Sequence, residues 1–378
     1  MSLKEIFCQD KAIGLLQRAF TAGKMPHAYI FAGPEGVGKY KTAWEWAKLL
    51  LCKNPVAEKI NGGDFSDSCG SCQSCRLFET DSHPDFHCVY KELREFTADG
   101  KGKGPPVDLP VDVIREFLVA KVQNKPTLSQ RKVFVVSEAE KLNVSSQNCL
   151  LKVLEEPPAY CCIILLCTRL ERLLPTTRSR CQIIRFGPID QKRIIDKLKQ
   201  MGIGEKAARY FAVLAGGSLG AGWQWAKLEA EGANLYETKR KLISAVASCE
   251  FADALDLAER FLKESKRIAG IWANINKNKS SSDIEQKVQK ALIQIIMSAY
   301  YDVMNLNVAP AREMINFDQE EQIKKLAGRL GSQDAAAAAE KIDDCYRAMR
   351  WVEDSVNEKL IFEHLLLNFA GSGKIQSS

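Results

Sequence analysis

One stretch limits what this chain can become more than any other. Ala28-Tyr29-Ile30-Phe31-Ala32 is apolar and strand-like, and Gly33-Pro34-Glu35-Gly36-Val37-Gly38-Lys39-Tyr40 follows at once. Lys41 to Leu51 then carries Ala43, Ala47, Leu50 and Leu51 at helical spacing. Strand, glycine loop and helix in immediate succession form the context of a phosphate-binding loop. Glycines let backbone N–H groups turn inward onto phosphate oxygens, and a lysine adds a mobile positive charge. Gly33, Gly36, Gly38 and Lys39 are therefore candidate nucleotide-phosphate ligands, for ATP, and a loop kept empty for packing is an equal alternative. The next position should hold Ser or Thr, whose hydroxyl ligates Mg²⁺. It holds Tyr40, whose phenol lies too far from its own backbone for that task. Thr42 is two residues on, about 200° around the helix, and cannot stand in.

A second apolar run, Lys132-Val133-Phe134-Val135-Val136, has the composition of a strand buried on both faces. Ser137-Glu138 follows it, at the strand end where open α/β sheets bind ligands. An NTPase of this layout places Asp-Glu there, the Asp holding Mg²⁺ and the Glu polarising the attacking water. Ser137 replaces the Asp, and Glu138 keeps the Glu. Two losses at one ion, at Tyr40 and Ser137, point to a site that does not hydrolyse.

Further strands are expected over Cys161 to Cys167 and Gln182 to Phe186, with another around Cys88-Val89-Tyr90. Helices are expected over residues 6–26 (apolar face Ile13, Leu15, Leu16, Ala19, Phe20), 111–122 and 145–156, the last stopped by Pro157-Pro158. Strands alternating with helices give a doubly wound parallel sheet. After Gly187-Pro188 the pattern is helical only, over about 190–201, 205–214, a helix bearing Trp223 and Trp225, then 234–249, 251–275, 283–305, 318–329, 333–349 and 351–370. Residues 371–378 are expected to be disordered.

The chain has 378 residues, a net charge of +6 and 46% apolar residues, which fits two or three ordinary folded domains. The charge permits nucleic-acid contact without demanding it. No stretch approaches the roughly 20 apolar residues of a membrane span, and the opening residues lack a signal-peptide core, so a cytoplasmic location without membrane contact is the expectation. Thirteen cysteines in such a chain suggest reduced thiols, some of them binding metal. Cys69-Gly-Ser-Cys72-Gln-Ser-Cys75 is a tight thiolate knuckle following a polar loop at Lys59 to Ser68. Zn²⁺ takes four tetrahedral ligands. Cys52, at the end of the phosphate-loop helix, is the leading fourth ligand, with Cys88, His83 and His87 as competitors. Four cysteines close the coordination shell, which makes the site structural rather than catalytic. His83 precedes Pro84 at a strand entry and reads as structural. Ile6 to Asp10 reads equally as a helix start or as a surface against a nucleotide base, and Asp99 to Pro106 as a solvated basic loop.

Together these residues resemble the bacterial clamp-loader subunits of the AAA+ ATPase class, most of all their delta' branch. The resemblance rests on Pro26-His27-Ala28, Gly33 to Lys39, Cys52 with Cys69, Cys72 and Cys75, Leu150-Leu-Lys-Val-Leu-Glu-Glu-Pro-Pro158, Arg178-Ser-Arg-Cys181 and Asn357 to Glu363, so it spans most of the chain. It implies an AAA+ core over 1–187 carrying a zinc module at 52–75, a helical lid over 188–230 and a helical collar over 231–370. It implies a hetero-pentameric ring with delta and gamma/tau subunits, acting on a sliding clamp and primed DNA within a polymerase holoenzyme. It also implies that Arg180 is an arginine finger for the ATP of a neighbouring subunit. Gamma/tau subunits keep Thr after the loop lysine and Asp-Glu in the second motif, and Tyr40 and Ser137 depart from both. Two other readings remain: an active gamma-like ATPase using Glu138, and a zinc-dependent nucleic-acid binder.

Overall fold

The apolar runs become a five-stranded parallel sheet in the order β4-β5-β6-β1-β7, in a computed structural model that describes residues 2–60, 63–98, 100, 106–275, 281–308, 313–330 and 334–370. The strands are β1 (Ala28–Ala32), β4 (Phe86–Val89), β5 (Lys132–Val136), β6 (Cys161–Cys167) and β7 (Gln182–Arg185). β1, β5 and β6 are buried at every position, because helices cover both faces. Along β1 the side chains alternate between two cores. Tyr29 and Phe31 join Trp46, Leu49 and Leu16. Ala28, Ile30 and Ala32 join Val113, Leu118, Leu150 and Leu154. The first core is roofed by α1 (Asp10–Thr21) and α2 (Lys39–Leu51). The second is roofed by α4 (Val111–Ile114) and α5 (Ala120–Val122), joined by a π-helical stretch Arg115–Val119, together with α6 (Val144–Glu155).

Three expectations change. The helix expected over 6–26 is shorter, running from Asp10 to Thr21 after a 3₁₀ turn at Leu3–Glu5. Leu15 is 37% exposed, since Ala12, Ile13 and Leu16 form the buried stripe. The polar loop at 59–68 is instead largely an antiparallel ribbon, β2 (Val56–Ile60) paired with β3 (Gly63–Asp67). β2 is exposed along most of its length, so no apolar alternation marks it in the sequence. Of the two tryptophans, Trp225 is buried and Trp223 exposed. Most of the loop 99–106, residues 276–280 and the tail 371–378 lie outside the described residues.

The chain divides into two compact units, Met1–Asp190 with Ser218–Gly220, and Gln191–Gly217 with Ala221–Ser378. The second is wholly helical among the described residues: α8 (Gln191–Gln200), α9 (Glu205–Leu214), α10 (Leu219–Leu228), α11 (Leu235–Ser248), α12 (Ala254–Ile275), α13 (Ser281–Val308), α14 (Glu320–Leu330), α15 (Asp334–Glu353) and α16 (Glu358–Ala370). α13 packs along α15, and α12 along α16. A buried ion pair, Lys239–Asp318, sits among them, with the ammonium 4.8 Å from the Tyr210 ring centre and 5.3 Å from that of Tyr236.

Candidate functional site

The phosphate loop leaves the carboxyl end of β1 and is held on three sides. A Cβ at Gly33 would come within 2.4 Å of the Phe186 carbonyl oxygen, so only glycine fits beside the end of β7. Gly38 caps α2 at φ 104°, a left-handed conformation that glycine adopts without strain. Gln9, within the Ile6 to Asp10 segment, donates to the carbonyls of Val37 at 3.2 Å and Gly187 at 2.9 Å, and accepts from the Gly187 N–H. The segment Ile6 to Asp10 thus braces the loop. On its outer edge the Gly36 carbonyl accepts from the Gly220 N–H at 2.8 Å.

Lys39 is 8% exposed and donates from Nζ to the carbonyls of Gly33 and Pro34, both at 2.6 Å. Burial pushes its pKa down, while Glu140 and Glu35 pull it back up. Tyr40 turns its hydroxyl toward the Cys88 sulfur at 3.7 Å and its ring toward Trp44. Thr42 is fully buried and donates to the Gly38 carbonyl. Its hydroxyl serves its own helix. At the end of β5, Glu138 has a left-handed backbone (φ 50°) and pairs with Lys141 at 2.6 Å. Glu140 accepts from the Thr168 N–H and hydroxyl. The loop thus satisfies its own lysine, and both nearby acids already have protein partners.

Cys52, Cys69, Cys72 and Cys75 converge as expected. Cys52 ends α2, Cys69 follows β3, Cys72 caps α3 (Gln73–Glu79) and Cys75 lies in the first turn of α3. Four of the sulfur–sulfur separations are 3.6, 3.9, 4.0 and 3.7 Å, with all four atoms within 4.8 Å of one another. A tetrahedral site with metal–sulfur bonds of about 2.3 Å has edges of about 3.8 Å, so the four thiols fit a metal ion. The N–H groups of Cys69, Cys72 and Cys75 point at the Cys52, Cys69 and Cys72 sulfurs, respectively. Burial pushes the Cys69 thiol up, but the N–H groups of Ser71 and Cys72 outweigh it and hold Cys69 down at about 6.

The competing ligands lie elsewhere. Cys88 faces Tyr40, and the His87 ring lies against Phe134. His83 is buried, its Nε2 lying 2.8 Å from the Ser74 hydroxyl, which donates to the Leu51 carbonyl. Its Nδ1 accepts the Asp85 backbone N–H, while the Asp85 carboxylate accepts N–H groups from Thr127, Leu128 and Ser129. Ser74, His83 and Asp85 are therefore a structural strap between α3 and the sheet, with no nucleophile alignment.

Arg180 ends the short helix α7 (Pro175–Ser179) as its C-cap. Its guanidinium lies 2.9 Å from a Glu155 carboxylate oxygen and donates to the Thr176 carbonyl at 3.1 Å. Gln147 on α6 fixes this region. It donates to the carbonyls of Leu142 and Arg172 and accepts from the Leu174 N–H at 2.7 Å, while only 2% exposed. A glutamine on a helix carries no sequence signal for that role. Arg178, two residues earlier, forms no ion pair among the described residues, and its Nε is buried without a partner.

Comparison with known proteins adds an independent line. The family model described as DNA polymerase III, delta subunit, matches residues 8–190, and its C-terminal counterpart matches residues 263–371. The chain is 25% identical to the DNA polymerase III subunit delta' of Bacillus subtilis over 95% of both chains. It is 31% identical to the delta' subunit of Escherichia coli, over 61% of this chain and 62% of that one. It is also 30% identical to the tau subunit of Bacillus subtilis, over 52% of this chain and 31% of that one.

Proposed function

Because the chain belongs to the DNA polymerase III delta' family of clamp-loader subunits, we propose that it assembles and regulates a clamp loader while neighbouring subunits hydrolyse ATP. One observation carries this reading. Lys39 is satisfied by the carbonyls of Gly33 and Pro34, while Tyr40, in the Mg²⁺-ligand position, turns its hydroxyl to Cys88. With Tyr40 in that place and Ser137 after β5, the loop offers Mg²⁺ neither of the side chains that metal-assisted phosphoryl transfer uses. In this reading Arg180 works in trans on a neighbour's γ-phosphate, where a planar, permanently charged guanidinium grips phosphate oxygens. The chain would join delta and gamma/tau subunits in a pentameric ring, with the collar (231–370) as the assembly surface and 188–230 as a helical lid, and the ring would act on a sliding clamp and primed DNA. The tetrathiolate cluster would hold Zn²⁺, the ion suited to four closed cysteine ligands, as a structural centre.

The test is ATP turnover by the isolated chain. Turnover at background level, unchanged by Lys39→Ala, is expected. Motor-level turnover abolished by that substitution would establish the rival reading, an active gamma/tau-like ATPase. The similarity to a tau subunit and the retained Glu138 are what favour that rival.

A further inference from the structure

Arg180 is not extended. Its guanidinium lies back along α7 onto the Thr176 carbonyl and across to Glu155, the last residue of α6. We propose that Glu155 is a sheath for this arginine: it neutralises and parks the guanidinium until a more highly charged anion, the terminal phosphate of a nucleoside triphosphate on an adjoining subunit, takes it over. The inference rests on the reading of Arg180 as a residue acting in trans.

The geometry suits a reversible hold. The backbone of Glu155 has a defined position, because α6 ends there and Pro157-Pro158 prevents the helix from continuing. Gln147 joins α6 to the segment entering α7, so the carboxylate and the arginine are held on one rigid frame. Yet the pair itself is weak. The side chains of Arg180 and Glu155 are 36% and 51% exposed, and a pair so open to water contributes no more than a few-fold to an equilibrium. A phosphate carries more charge than a carboxylate and offers three acceptor oxygens, so it outcompetes Glu155 once it is placed within reach. Arg178 makes the contrast. It lies on the same short helix, with no carboxylate partner among the described residues, so only one of the two arginines is held.

The experiment uses the full chain reconstituted with ATPase-competent clamp-loader subunits, and measures ATP hydrolysis against ATP and salt concentration for wild type, Glu155→Gln, Arg180→Ala and the double variant. Gln keeps the size of Glu155 and an acceptor oxygen but removes the charge. Glu155→Gln is expected to raise hydrolysis at sub-saturating ATP by about 2- to 5-fold at low salt. The gain should fade by about 0.5 M salt, where exposed charges are screened. It should vanish in the double variant. A merely structural role for Glu155 would give an effect indifferent to salt and still present without Arg180. Hydrolysis lowered or unaltered by Glu155→Gln, with Arg180→Ala strongly impaired, overturns the sheath and leaves the trans role standing. Full hydrolysis in Arg180→Ala overturns the trans role itself. An Arg178→Ala variant that is impaired instead would move that role to Arg178.

Discussion

Glu45 stands out on the phosphate-loop helix. It is 3% exposed, with one carboxylate oxygen lacking any partner among the described residues. Burial raises its pKa from 4.5 to about 7, against the opposing pull of Lys48. The sign follows from proton binding. Between about pH 4.5 and 7 the folded chain keeps this proton while the unfolded chain loses it, so stability falls as pH rises through that window. Below it both states are protonated, and above it both are ionised. Glu45→Gln should therefore stabilise the protein by about 1–3 kcal/mol at pH 8 and leave it nearly unchanged at pH 4.5. Urea denaturation of both proteins at the two values checks this, and equal pH slopes would sink it. Tyr40 shows how one residue informs at two levels. Its identity signalled a missing Mg²⁺ ligand, but only the structure shows where the ring goes instead, against Trp44 and Cys88.

Elements were legible in proportion to their burial. β1, β5 and β6 fall where the continuous apolar runs place them, because strands covered on both faces leave no polar alternation to confuse the pattern. The β2–β3 ribbon escaped notice, since its pairing is backbone-driven and its side chains are largely exposed. Cys69, Cys72 and Cys75 announced themselves by spacing; Cys52, 17 residues upstream of Cys69, was legible only by its place at the end of the phosphate-loop helix, which the fold brings to them. Gln147 and the bracing role of Gln9 were silent for a related reason: a buried hydrogen-bonding side chain has no periodicity. The thiol cluster ties the end of α2, the ribbon and α3 into one piece. Purified chain should contain one Zn²⁺, and Cys52→Ser should lose it, because three sulfurs leave the shell open. Metal loss should also unprotect the amides of residues 63–79 in hydrogen exchange while sparing β5 and β6. Retention of metal by Cys52→Ser would place the fourth ligand elsewhere.

At the scale of the whole molecule, the helical unit was legible as helices but not in its interior. Lys239, wholly buried against Asp318 and two tyrosine rings, sits on a helix face where sequence alone expects a solvated lysine. Its partner lies 79 residues away, beyond any local pattern. No helix among the described residues is long and apolar enough to cross a membrane. If the helical collar is the assembly surface, mixing the chain with delta and gamma/tau subunits should give one larger species by light scattering, and a chain truncated before residue 231 should remain apart. Entry of that truncated chain into the complex would assign assembly to the core. The lysine held by Gly33 and Pro34 has a final consequence. Nucleotide reaching this loop meets an exchange rather than a vacancy, and its apparent affinity is its intrinsic affinity scaled by the fraction of molecules whose lysine is free. Were that fraction about one in a hundred, affinity would drop about a hundredfold. The loop's conformation would then stay nearly constant as cellular ATP rises and falls.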